Sequence, residues 1–362
     1  MGSVNIDNTG SGADVTLSSD GTDLLLDGTA IGGTALELYA ENPSSPTAPS
    51  ATGSNAVAIG SGAVSSGDRS IALGNLANAT SLRAFAAGVN ATSSNFNAIA
   101  MGPNSAASGN ASVAIGDAAI SVNTSAVALG TAYASGTDSF AAAITNSTGT
   151  YGATGANSIA MGSQAKATGS DAVAIGDTNI ASGVASFASG TQTEASAIYA
   201  RSGGYLSVAN VSGDAWASGN FATAGDAQNV KLVIRGATSN TTPVVLTTSG
   251  GDTGRSLLLE TNSAYAFSLM VVARRDASDG TESAAVKIEG LIRKESNDAS
   301  ITLVNSNKTT ISNAPSWTIA AAANDGSGSA YGGGLDVVCA DFVNGHNIRW
   351  VGTLKYTKVT YA

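Results

Sequence analysis

Large and charged side chains are scarce in this chain. Of its 362 residues, 5% are aromatic and 12% are charged, and there are only 6 prolines. One cysteine excludes an intrachain disulfide. Cys339 sits in the apolar run Leu335–Cys339, where a buried, inert thiol is expected. With one histidine and one cysteine, any metal site would have to be built from oxygen ligands. No metal motif is present, and no cofactor is expected. The amino terminus has no basic start followed by an apolar core, so no secretory signal is expected. No apolar run nears the ~20 residues of a membrane helix, which argues against membrane insertion. Sixteen basic residues face twenty-six acidic ones. No basic stripe runs along the sequence, which argues against nucleic-acid binding. Residues 1–50 hold seven acids and no base, whereas residues 225–362 balance twelve against twelve.

What is abundant is glycine, 44 residues of it, together with alanine, serine, threonine and asparagine. Much of this composition is periodic. Ala56-Val57-Ala58-Ile59-Gly60 recurs as Ser70-Ile71-Ala72-Leu73-Gly74, and four more copies end at Gly88, Gly102, Gly116 and Gly130. The six glycines are 14 residues apart. A seventh copy has Ile144 where glycine is due. Four extra residues then restore the step at Gly162, Gly176 and Gly190. A short fixed period means one small unit stacked on itself.

A second glycine often precedes the motif glycine by seven residues, as at Gly53, Gly67, Gly109, Gly155, Gly169 and Gly183. Two turns per unit leave two strands of four or five residues each, and glycine is expected to give those turns their positive φ. Each unit is then one coil of a narrow parallel roll. Coils stack about 4.8 Å apart, so some eleven coils make a rod of roughly 50 Å. Within a strand, Val57 and Ile59 face one way and Ala58 the other. The Ala58 position reads alanine in ten of ten copies, from Ala72 to Ala188 with Ala142 in the irregular copy. Such a line implies close approach of another backbone at every level. Burying one apolar side chain gives ~1.5–3 kcal/mol, while ordering 14 residues costs over ~14 kcal/mol. Part of the apolar surface is therefore expected to be buried between chains, most simply by threefold association. The expected coil and trimer packing positions are Val57, Ala58, Ile59, Gly60, Ala72, Gly74, Ala114, Gly116, Ala174 and Gly176. Either face is open as the one lining the axis.

These repeats resemble the head of trimeric autotransporter adhesins of the YadA type, over about 150 residues. The resemblance implies a left-handed parallel β-roll trimer. The same repeat occurs in phage tail fibres. Neither a signal peptide nor a coiled-coil stalk with a barrel anchor is expected from this sequence, so the phage setting is expected rather than a true autotransporter.

The flanks differ from the repeat. Residues 1–50 read as a small acidic attachment module, with strands at Val15–Ser18 and Leu24–Leu26, a strand or helical turn at Ala35–Tyr39, and a proline-rich linker. Residues 51–204 are the roll, and residues 205–224 a transition that ends it. Residues 225–362 read as nine to eleven strands, from Asn229–Arg235 through Ala264–Arg274 and Ala284–Arg293 to Asn347–Thr360, without a convincing helix, which predicts an antiparallel β-sandwich of jelly-roll type. Its sequence, with Leu232-Val233-Ile234-Arg235-Gly236 and Ile348-Arg349-Trp350-Val351, resembles a domain that ends many phage tail proteins. The fold class is therefore all-β: β-roll, then sandwich.

No constellation for chemistry stands out. His346 lies in a turn, with no Gly-x-Ser-x-Gly elbow to partner it. Asp117 and Asp177 occupy equivalent turns of separate coils, too far apart to act as a glycosidase pair. Gly332–Gly334 lacks the strand–loop–helix setting of a phosphate loop. Trp317 and Trp350 alternate in phase with Ile319 and Ile348 and read as core. Tyr331, in a predicted loop, is the candidate surface aromatic for receptor contact. The expected protein is a non-enzymatic homotrimeric fibre of a phage virion. It would join other tail or baseplate proteins and present a C-terminal head to a host-surface glycan or protein. A bacterial trimeric surface adhesin fragment and a polysaccharide-degrading tailspike are the alternatives.

Overall fold

In the computed structural model the chain is entirely β apart from one 3-10 turn at Asp298–Ser300, among the described residues. These are 47–143, 150–249, 254–278, 280–314, 316–327 and 332–361, with the backbone of four short strands between residues 4 and 30. Those four strands, Val4–Ile6, Val15–Ser19, Leu24–Leu26 and Thr29–Ala30, pair as an antiparallel meander. Ala35–Tyr39, the extension at 144–149 and Tyr331 lie outside the described residues.

The repeat forms a parallel β-solenoid. Most coils contribute a three-residue strand such as Val57–Ile59 and a two-residue strand such as Val64–Ser65, shorter than expected, while Val127–Gly130, Val173–Asp177 and Phe187–Thr191 reach the four or five residues expected. The two-residue strands stack in a 12-stranded parallel sheet. The longer strands stack in register beside it, Ala58 on Ala72, Ala72 on Ala86 and Ala100 on Ala114. Twelve levels replace the eleven anticipated.

The irregular copy is shifted by one residue from its sequence reading. Val127 pairs with Phe140, and Ala128 with Ala141. The coil before it is thus one residue short, and the next step, Phe140 to Ile159, is correspondingly longer. Ala143, not Ile144, takes the place of the motif glycine opposite Gly130. Alanine at both 141 and 142 hides the slip in the sequence.

The two glycine classes do different work. The motif glycines have φ between 107° and 138° at Gly60, Gly74, Gly88, Gly102, Gly116, Gly162, Gly176 and Gly190, a region closed to other residues. A Cβ on Gly116 would also sit 2.4 Å from the Gly130 carbonyl oxygen. Gly53, Gly67 and their equivalents do not supply the positive φ expected of them. That conformation falls two residues later on Asn55, Arg69, Arg83 and Asn97. Gly53 is needed for contact instead, since its Cβ would lie 2.0 Å from the Gly67 oxygen of the next coil.

The alanine line points into the roll. Ala72, Ala86, Ala100, Ala114, Ala128, Ala174 and Ala188 are fully buried, and only Ala58 in the first coil is half-buried. The interior holds four small residues per coil, as at Ser105, Ala107, Ser112 and Ala114. The backbone that approaches the alanines is thus the other sheet of the same chain. Serine fits because the turn satisfies its hydroxyl: Ser70, Ser139 and Ser158 each donate to the glycine carbonyl three residues earlier, at 2.6–2.7 Å. In one coil Asn179 crosses the interior. It donates to the Ile175 and Gly190 carbonyls and accepts from the Thr193 N–H and hydroxyl.

Parallel stacking continues past residue 204, into the stretch read as a transition, as far as Gly213–Ser218. That strand then pairs antiparallel with Ala227–Thr238, Gly213 opposite Leu232. The solenoid therefore ends by handing the edge of its longer strands to the C-terminal domain, while the edge of the other sheet, at Val208–Ala209, is met by the Gln228 side chain, which accepts from the Val208 N–H and donates to its carbonyl. The large sheet runs on through Ile348–Thr360, Ser263–Arg275, Ser283–Lys294 and Thr302–Ser312. A smaller sheet is built on Gly334–Asp341. Trp317–Asn324 pairs along one edge, and Val244–Val245 and Leu257–Leu258 along the other. Residues of both sheets share one core, including Leu246, Ile319, Val337, Cys339, Ile234, Leu269 and Leu354. Trp317 meets Trp350 edge-on at 5.3 Å, and the Trp350 indole N–H donates to the Thr238 hydroxyl. Along Ala227–Thr238 and Ile348–Thr360 buried and exposed residues alternate, so the opposite face of the large sheet is open.

Candidate binding surfaces

The outward side of the longer coil strands is an apolar ladder. Val57, Ile71, Phe85, Ile99, Val113 and Val127 form one rail, and Ile59, Leu73, Met101, Ile115, Met161 and Ile175 lie on the other. These side chains are half-buried at best, and Ile115 and Ile175 are each 39% exposed. The ladder turns polar at its C-terminal end, where Arg201 and Asp214 form an exposed ion pair at 3.8 Å. Arg201 also lies 5.9 Å over the Phe187 ring. Next to them Trp216 is 63% exposed and lines a groove of about 260 Å³ with Asp214, Asn229 and Lys231.

The join between rod and head is tied by Asp226. Its carboxylate accepts from the N–H groups of Phe221, Ala222 and Thr223 at 2.7–3.2 Å. Burial pushes its pKa up, but these donors outweigh that and hold it below the usual carboxylate range. A folded pKa below the unfolded one stabilises fully above about pH 4, and this is lost as pH falls through the folded value. Melting followed by circular dichroism should show wild type losing stability on acidification from about pH 5 to pH 3. Asp226→Asn should melt lower at neutral pH and lose less over that interval. Equal acid slopes for the two proteins would remove this role.

The residues considered for chemistry are dispersed. His346 is half-buried rather than free, with Nδ1 2.6 Å from Asp341 Oδ2. Asp341 is fully buried. Burial raises its pKa, while hydrogen bonds from Ser316, the Val343 N–H and His346 prevail and lower it. The carboxylate thus stands between serine and histidine, not behind the histidine as a nucleophile triad needs. Asp117 and Asp177 are exposed and four coils apart. Cys339 is buried, and burial pushes its thiol up to about 12. No group of three or more potential metal ligands occurs among the described residues, and no helix there is long and apolar enough to cross a membrane.

A family model of the YadA head domain repeat matches residues 51–77, 79–105, 93–119, 107–132 and 153–178. No curated protein matches the chain. Among solved structures, it is similar to the tailspike protein gp49 of Acinetobacter baumannii bacteriophage Fri1, a capsular polysaccharide depolymerase. The TM-score is 0.22 at 8% identity, over 81% of this chain and 63% of that one. It is also similar to the Acinetobacter baumannii phage AM24 tailspike protein, with a TM-score of 0.20 at 10% identity, over 84% of this chain and 50% of that one.

Proposed function

We propose that three copies of this chain associate in parallel through the apolar ladder to form an adhesive fibre of a phage tail. The N-terminal module would join it to other tail or baseplate proteins, and the C-terminal domain would be the receptor-binding head. The observation that carries this reading is the ladder itself. It is straight, apolar and exposed over about ten levels, or roughly 45 Å at ~4.8 Å per level. Exposed apolar patches of that extent mark interaction surfaces. The interior of each coil is already filled by its own alanines and serines, so the ladder is surplus to the monomer fold. A second and third copy in register match its length and repeat at every level. The resemblance to trimeric adhesin heads, supported by the matching repeat model, favours three copies over two. Three heads on one stiff rod gain avidity at a surface without strong affinity at each site.

Light scattering in mild buffer tests the assembly. The expected mass is three times the 35.3 kDa chain. A monomer would overturn the proposal.

A further inference from the structure

The open face of the large sheet carries basic side chains among exposed valines, Val233, Val272, Val351 and Val359, although the chain as a whole carries a net charge of −10. Strand alternation brings Lys231, Arg235, Arg274, Lys287, Arg293, Arg349 and Lys355 onto it, seven of the domain's twelve basic residues, with Arg293 paired to Glu295 at its edge. Two pairs of like charge stand directly opposite each other across neighbouring strands, Lys231 with Lys355 and Arg274 with Arg349. Such pairs destabilise a sheet. Among the described residues of these strands, the acid on this face is Glu289, and Lys287 occupies it at 2.8 Å. Arg235 and Arg274 reach neutral oxygens of Ser249, Thr281 and Ser283. Each end of the face opens into a hollow. At one end is the Trp216 groove, which Lys231 lines. At the other is a pocket of about 600 Å³ with Arg274, Arg275, Asn347 and Arg349 in its wall. From Asn229 to Ala237 the face is about 27 Å long at ~3.4 Å per residue.

We propose that this face binds an acidic polysaccharide, one whose sugars carry carboxylate groups, laid from the Trp216 groove to the arginine pocket. The proposal rests on the reading of the chain as an adhesive fibre and names the ligand class of its head. Asp214 stands opposite Lys231 at one end and Asp276 lines the pocket at the other, but the two opposed like-charge pairs between them are a standing cost, which a polyanion lowers on binding. An exposed indole edged by hydrogen-bonding side chains offers one apolar ring face to a sugar while its neighbours hold the hydroxyls. A single-stranded nucleic acid would stack successive bases on successive aromatic platforms, whereas of the two aromatics lining this groove Trp216 is open and the Phe187 ring is covered by Arg201. A second copy docked face to face about a two-fold axis is a poor occupant, since it would oppose like charge with like charge. The Trp216 end of the face continues the outward side of the coils, with Trp216 in register on Gly203, and only its far end turns away from the ladder. Twist of ~20–25° per strand rotates the Arg274 strand, three strands beyond the last coil, by roughly 60–75°.

The test uses the full chain with polygalacturonate as probe, neutral dextran as control and single-stranded DNA as competitor class. Titration calorimetry should show polygalacturonate binding that weakens steeply with salt, and no dextran binding. The Arg349→Glu, Lys355→Glu double variant should bind polygalacturonate roughly tenfold more weakly. Its melting temperature should be unchanged or higher, because both like-charge pairs are gone. Trp216→Ala should weaken uronate binding several-fold at constant salt dependence, which a purely ionic surface would not do. Absence of polygalacturonate binding, undiminished binding by the double variant, or tighter binding of DNA than of polygalacturonate would each overturn the proposal. Light scattering on the same samples keeps the two readings apart. A trimer without uronate binding leaves the fibre standing and removes this site. A double variant that becomes monomeric makes the face a contact between copies, and that also overturns it.

Discussion

An Ile115→Asp, Ile175→Asp double variant is expected to be a folded monomer. Both isoleucines lie on the ladder and are 39% exposed in the single chain. In the proposed trimer they are covered by the neighbouring copies. Each aspartate would be repeated three times around the axis, placing six carboxylates in an apolar seam. Removing each isoleucine forfeits part of the ~1.5–3 kcal/mol that full burial of such a side chain provides. Burying an unpaired carboxylate costs several kcal/mol more per group, by the order of magnitude of ion desolvation. The coil interior is untouched, because the substituted side chains point away from Ala114 and Ala174. Light scattering should report the mass of one chain, and circular dichroism should still report β structure. A trimer of unchanged stability would show that the ladder is not the contact.

The second large effect is expected from the opposite face of the same strand. Ala114 is fully buried, stacked between Ala100 and Ala128 and enclosed with Ser105, Ala107 and Ser112. Ala114→Leu adds three carbon atoms where the other sheet leaves no room. Overpacking of this kind costs typically ~1–3 kcal/mol, occasionally more. Backbone shifts at one level propagate to the next, because each coil is held only by its neighbours. A fall in melting temperature of about 2–12 °C is expected, from roughly 2–4 °C per kcal/mol in a unit of this size. Ala106→Leu is the control. Ala106 lies on the outward side of its strand, and Ile120 occupies the equivalent place in the next coil. Equal melting of the Ala114 and Ala106 variants would show that the alanine line is not a packing constraint.

The two variants turn on a distinction that was only half legible in the sequence. Alternation within Val57-Ala58-Ile59 separates the alanines from the larger residues, and invariant alanine implies a nearby backbone. Which backbone is near depends on the second strand of the coil. Ala79, Ala107 and Ala167 lie in two-residue strands, too short to show a period of their own. In the folded chain they close the interior over the alanines and leave Val57 and Ile59 outside. The glycines divide the same way. Gly60 and Gly116 are dictated by φ, whereas Gly53 and Gly67 are dictated by an oxygen of the next coil, a neighbour fourteen residues away.

By itself, the sequence determined the repeat, its parallel stacking and the nine strand regions of the C-terminal domain. Each of those depends on residues close together along the chain: a turn glycine, an alternation, an apolar run. Each predicted strand of that domain has its counterpart, from Asn229–Arg235 within Ala227–Thr238 to Asn347–Thr360 against Ile348–Thr360. The basic face was decided only by the tertiary structure. Lys231 and Lys355, or Arg274 and Arg349, are far apart in a sequence whose bases nowhere form a run. They become neighbours because antiparallel pairing sets Ile348–Thr360 between Ala227–Thr238 and Ser263–Arg275, in a register that turns their charges to one side. Register is fixed by the core residues that alternate with them, among them Leu232, Leu269 and Leu354.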